Sequence, residues 1–147
     1  AGLAAREAQG LFPDYWFPHY MISYVAWRNR DADAAISHME KANQITGGDV
    51  PWINCALAAI YYSFGRVDDG DRWLAKVETL GETVYVTTFG RAMIECARKN
   101  TEAAISWLER AHDEHDTLFV CARAFGELMG IIDDDEIRRA MERLDLL

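Results

Sequence analysis

The chain is poor in the residues that carry most familiar chemistry. Its three cysteines, Cys55, Cys96 and Cys121, lie far apart, with no two at CxxC spacing. An odd, scattered set reads as reduced core residues of a cytoplasmic protein, not as a disulfide framework or a zinc site. Basic charge is scarce: 15 Lys and Arg stand against 24 Asp and Glu, a net −9. Nucleic-acid recognition rests on neutralising phosphates, so this balance argues against a nucleic-acid partner. It disfavours an anionic membrane surface for the same reason. No apolar run approaches the ~18 residues of a bilayer-spanning helix. No phosphate-cradling glycine loop is present, and no charged start with an apolar stretch marks a secretory signal. Proline is limited to Pro13, Pro18 and Pro51, none of which interrupts a helical pattern.

What is present is apolar, aromatic and periodic. Of 147 residues, 50% are hydrophobic, with five Trp, six Tyr and six Phe, enough for the core of one domain. Small residues set a clock. Ala1/Ala5/Ala8, Ala35/Met39/Ala42 and Ala104/Leu108/Ala111 repeat one pattern, and Gly70/Leu74/Val77 is a worn copy. The starting positions are 34, 35 and 34 residues apart. Such a period marks stacked helical hairpins, each tick falling on a second helix.

Reading between the ticks predicts helices over 14–29, 31–45, 51–64 and 67–80. Gly47-Gly48, Gly65 and Gly81 end three of them, and Asp49 is expected as an N-cap before Pro51. The stretch 82–88 is β-branched and would read as a strand by itself. The clock instead predicts a helix start capped by Thr83 or Thr87 and running to about Lys99. Helices over 101–115, 118–129 and 136–147 complete the chain, the last preceded by Asp133, Asp134 and Asp135. Segment 1–11 reads as the second helix of a hairpin whose first helix belongs to a longer protein.

These residues resemble tetratricopeptide (TPR) repeats. Ala8 is followed by Pro13 at the family's spacing, Leu57/Ala58/Tyr61 matches its first-helix signature, and Gly65 stands at its turn. The pattern departs where Pro is missing after Ala42, Val77 and Ala111, and where Arg91 and Glu95 replace apolar residues. The resemblance implies an all-α, right-handed superhelix of antiparallel hairpins with a C-terminal capping helix. It divides one domain, 1–147, into a truncated half repeat (1–13), repeats at 14–48, 49–82 and 83–116, and a capping pair (117–147). The run EAAISWLERAHDEHD and the later DDDEIRRAMERLDLL are similar to the tails of bacterial TPR arrays joined to winged-helix or nucleotide-cyclase heads. That implies a regulatory segment of a larger signalling protein.

First helices line the TPR groove. Carried over by register, the groove residues are Phe17, Tyr20, Tyr24, Trp27 and Arg28, then Trp52, Cys55, Ala59 and Tyr62, then Val86, Phe89, Met93 and Cys96. Phe17, Tyr20, Tyr24 and Trp27 share one helix face by spacing alone, and Met21, Ile22, Val25 and Ala26 make the opposite face apolar too. The stripe reads either as a binding groove, with Tyr20, Tyr24 and Trp27 partly open, or as inter-repeat core. Arg28 is the only basic residue among these positions. Tyr20, Tyr24, Cys55 and Ala59 stand where TPR co-chaperones hold a carboxylate, so no such clamp is implied.

No catalytic constellation is expected. His19 and His38 are isolated in sequence. His112 and His115 are spaced to face one ion, but their place at a helix end suits the dipole equally well, and no metal is expected. The expected function is a non-catalytic protein or peptide interaction module without cofactor. A sensor of small apolar ligands and a self-association segment are the alternatives. In the latter, an apolar edge near Leu3, Leu11, Phe12 and Trp16 stands open and mediates a homo-oligomer.

Overall fold

The computed structural model describes residues 2–119 and 133–145, and these are all-α. Eight helices occur among them: α1 (Gly2–Leu11), α2 (Trp16–Arg28), α3 (Ala32–Ile45), α4 (Pro51–Ser63), α5 (Val67–Gly81), α6 (Thr88–Ala97), α7 (Thr101–Asp113) and α8 (Asp135–Arg143). Consecutive helices pair as hairpins, α2 with α3, α4 with α5 and α6 with α7, while α1 packs on α2 and α8 on α7. The helix expected over 118–129 lies outside the described residues but for Leu118 and Phe119.

The 34-residue clock is written in the backbone. Arg30, Gly65 and Lys99, 35 and 34 residues apart, each take a left-handed φ of 60–73° in the turn inside a hairpin. Each closes the same pair of bonds: the following N–H reaches back to the carbonyl of Ala26, Tyr61 or Glu95 at 2.9–3.0 Å. This is the Schellman closure, which satisfies carbonyls that a helix end leaves unpaired. Gly47 and His115 perform it at the ends of α3 and α7.

Most of the clock residues are buried, while Ala8 and Leu74 are half-buried and Ala1 lies outside the described residues. Ala35, Met39, Ala42, Ala104, Leu108, Ala111 and Val77 are fully buried, and Gly70 is buried as well. The centre is α4, whose residues 53–62 are buried on every side. It touches α3, α5 and α6, so it is covered on all sides, and its one buried amide, Asn54, donates to the Gly48 carbonyl at 3.1 Å.

Two local expectations need correction or refinement. Asp49 does not cap α4; Val50 holds that position with no side-chain cap, and Asp49 lies 3.8 Å from Lys76 instead. Pro51, which has no N–H to satisfy, opens the helix. The ambiguous stretch forms no strand. Thr87 caps α6 by accepting from the Gly90 N–H at 2.8 Å, while Thr83 binds back to the Leu80 carbonyl at the end of α5.

Candidate functional site

The aromatic stripe of α2 is drawn together as expected, but it is closed. Tyr20, Tyr24 and Trp27 are only 1%, 2% and 4% exposed, so the expectation that they stand open is overturned. The reason is contact from α4 and α6. The Tyr20 ring meets Trp52 edge-on at 4.5 Å and Tyr24 at 4.5 Å. The Tyr20 hydroxyl donates to the Tyr24 oxygen (2.8 Å), and the Tyr24 hydroxyl points to the Met93 sulfur (3.8 Å). Burial raises the Tyr24 hydroxyl well above its ordinary range, so it stays a neutral donor. Trp27 stacks on Tyr24 at 5.8 Å.

Phe89 and Met93 complete this cluster, with Leu118 reaching it from beyond α7. The space left among Tyr20, Tyr24, Trp52, Phe89 and Met93 is about 10 Å³. That is room for one water at most. Cys55 and Ala59 are fully buried, and burial pushes the Cys55 and Cys96 thiols up to about 12. Such thiols are packing atoms rather than nucleophiles.

Two of the expected groove residues stand apart from the cluster. The ring of Tyr62 lies over Gly70 in the α4–α5 contact, and its hydroxyl donates to Asp71 at 2.6 Å. Arg28 is exposed and pairs with Asp133 at 2.6 Å. Phe17 alone of the α2 stripe is open. Its ring stacks on Tyr20 at 6.2 Å and meets Trp16 at 5.4 Å.

The open apolar surface is at the α1 end. Leu3, Leu11, Phe12, Tyr15 and Phe17 are exposed, and Trp16 is half-buried against Trp52. The expected edge at Leu3, Leu11 and Phe12 is therefore open. Tyr15, absent from that expectation, joins Trp16 and Phe17 at 6.0 and 6.5 Å. It occupies the N-cap of α2, whose helix begins at Trp16 rather than at the expected 14.

A second missed feature is the histidine pair. His19 and His38 meet with their Nδ1 atoms 3.0 Å apart. The antiparallel pairing of α2 and α3 decides this. Ser23 donates to the Ala35 carbonyl at 2.5 Å, and four residues back on one helix is three residues on along the other. One ring donates and the other accepts, so the pair shares a single bonding proton. The His38 pKa is lowered by burial first, then by His19 and Arg6.

Trp107 is flanked by the guanidinium groups of Arg91 (5.3 Å) and Arg110 (5.2 Å) beside the exposed Tyr85. Glu78 and Glu114 pair with those arginines at 2.5 and 2.6 Å, so the cleft has no spare charge. His112 and His115 turn their Nδ1 atoms to Asp113 and to the His112 carbonyl. Among the described residues no group of three His, Cys, Asp or Glu is placed to hold a metal, and no helix is long and apolar enough to cross a membrane. No protein-family model, curated protein or solved structure matches the chain.

Proposed function

We propose that the chain is a non-catalytic protein-interaction module, a right-handed TPR-like superhelix serving as the regulatory segment of a larger cytoplasmic bacterial signalling or transcription-regulatory protein. Its binding face, on this reading, is the aromatic edge at α1 and the start of α2 rather than the concave stripe. The observation that carries it is the contrast between the two. The stripe aromatics are buried, whereas Leu3, Leu11, Phe12, Tyr15 and Phe17, on α1, the start of α2 and the turn between them, remain exposed. Exposed apolar patches of this kind mark protein contacts, and Tyr and Phe are favoured there. The repeated hairpin turns support the solenoid, an architecture that works by presenting surface. A sensor of small apolar ligands would need the stripe to open, since the space within it is about 10 Å³.

The test is a photo-crosslinking residue placed at Tyr15 in bacterial cells, with Val67, exposed on α5, as control position. A discrete protein adduct at position 15, lost when Leu11 and Phe12 are both changed to Ser, is the expected result. Equal background at both positions would sink the reading.

A further inference from the structure

We infer that His19 and His38 form an acid-sensitive latch between α2 and α3: they share one proton and hold the start of α2 down at neutral pH, and they release it when both rings are protonated. The inference goes beyond the interaction-module reading and holds whether or not the aromatic edge takes a partner.

The latch is built by packing. His19, near the start of α2, is 7% exposed, and His38, on α3, is half-buried beside a cleft lined by Gln9, Ser37, Lys41 and Gln44. Their Nδ1 atoms are 3.0 Å apart while the ring centroids are 5.2 Å apart. The nitrogens therefore point almost straight at each other, as the two ends of an N–H···N bond do. Two lone pairs shared by a metal ion would instead converge to one side of that line, and among the described residues no third ligand joins them.

Protonation and this bond compete. In the neutral pair one Nδ1 donates and the other accepts. A first added proton goes to the unprotonated Nε2 of the donating ring and leaves the bond in place, now charge-assisted. A second has to enter at the accepting Nδ1, whose lone pair the bond already uses. With both rings charged, two cations face each other beside Arg6 of α1, and like charges at that range repel.

The other charged groups around the pair do not relieve this. On α3, Lys41 adds a further cation, and Glu40 already accepts from the Tyr61 hydroxyl at 2.6 Å. Asp31 caps α3 by accepting from the Ala34 N–H at 3.1 Å. Burial, His19 and Arg6, in that order, lower the His38 pKa. The unfolded chain thus takes that proton at a higher pH than the folded chain. The pair's contribution to stability is complete above the ordinary histidine value of about 6.5 and is lost as the pH falls below it.

The start of α2 is the part that yields. His38 borders open space and can turn away. His19 is then left as a buried cation without an acceptor, and hydrating it means lifting the first turns of α2. Ser23, one turn on, donates to the Ala35 carbonyl at 2.5 Å and does not titrate, so the opening should stop there.

Nuclear magnetic resonance of the whole chain, with labelled histidine rings, reads the latch between about pH 7.5 and about pH 5.3, the range of histidine titration. His112 and His115, both exposed, serve as single-site references. His19 and His38 are expected to titrate as a coupled pair, in two steps shared by both rings. With the second step, the amides of Tyr20, Met21 and Ile22 should lose hydrogen-exchange protection while those beyond Ser23 keep theirs. In His38→Gln the side-chain oxygen can accept from His19 in either charge state, so His19 should titrate in one step and α2 should stay closed. The net charge of −9 sharpens the contrast. General repulsion eases as the pH falls, so the variant should hold or gain stability where the wild type loses it. Independent titration of His19 and His38 in the wild type, equal opening of α2 in His38→Gln, or protection lost evenly along α2 and α3 would each overturn the latch. The wild-type titration needs no substitution, so it decides even if the variant fails to fold.

Discussion

Asp116 is a buried carboxylate held by four hydrogen-bond donors among the described residues. One oxygen accepts from the hydroxyls of Thr88 (2.8 Å) and Tyr85 (3.2 Å) and from the Phe89 N–H (3.2 Å). The other accepts from the Leu118 N–H at 2.8 Å. Phe89 lies in the first turn of α6, where backbone donors lack helical partners and the dipole favours negative charge. One side chain thus ties the start of α6 to the segment after α7. Asp116→Ala orphans four donors at once, and a loss of about 2–4 kcal/mol is expected. Asp116→Asn keeps one acceptor oxygen and should lose less. Urea denaturation gives the ranking, and an alanine variant as stable as wild type would show that water replaces the carboxylate. Sequence reading passed over Asp116 because its partners lie 27–31 residues away in three cases out of four.

At the scale of the element, the hairpin contact of α4 and α5 shows why the worn copy of the clock is worn. Gly70 takes the place of Ala35 and Ala104, and a Cβ there would lie 2.8 Å from the Tyr62 ring. The ring cannot swing away cheaply, since its hydroxyl is bound to Asp71 at 2.6 Å. Gly70→Ala therefore sets two effects against each other. Alanine gains about 1 kcal/mol of helix propensity, and overpacking costs about 1–3 kcal/mol. At 2.8 Å the clash should win, giving net destabilisation. With Tyr62→Val the clash is gone and the same change should stabilise. A thermal melt of the four proteins reads the sign reversal, and an equal effect in both backgrounds would refute the contact. Small residues at 35, 70 and 104 were legible in the sequence; the demand for glycine at 70 came from the ring packed across it.

For the molecule as a whole, sequential packing predicts graded stability. In a stack of hairpins each unit is held by its neighbours, so central elements open last. The ten buried residues of α4 sit between α3, α5 and α6, whereas among the described residues α1 packs chiefly on α2 and α8 on α7. Amide exchange at low protein concentration should be slowest in α4 and fastest in α1 and α8. Equal protection of α1 and α4 in dilute solution would contradict the stacked organisation.

The sequence by itself determined the helices of the described residues, the 34-residue clock, the glycine turn at Gly65 and a threonine cap ahead of α6. All of these follow from interactions within a few residues: helical periodicity, capping bonds and left-handed turns. The tertiary structure decided which of the two apolar faces of α2 is covered. Both faces read alike in sequence, and the Tyr20–Tyr24–Trp27 stripe became core because Trp52 arrives from α4 and Phe89 and Met93 from α6. It also joined His19 to His38 and gave Asp116 its donors. These contacts depend on how one helix lies against another, and no local rule of spacing carries that angle and distance.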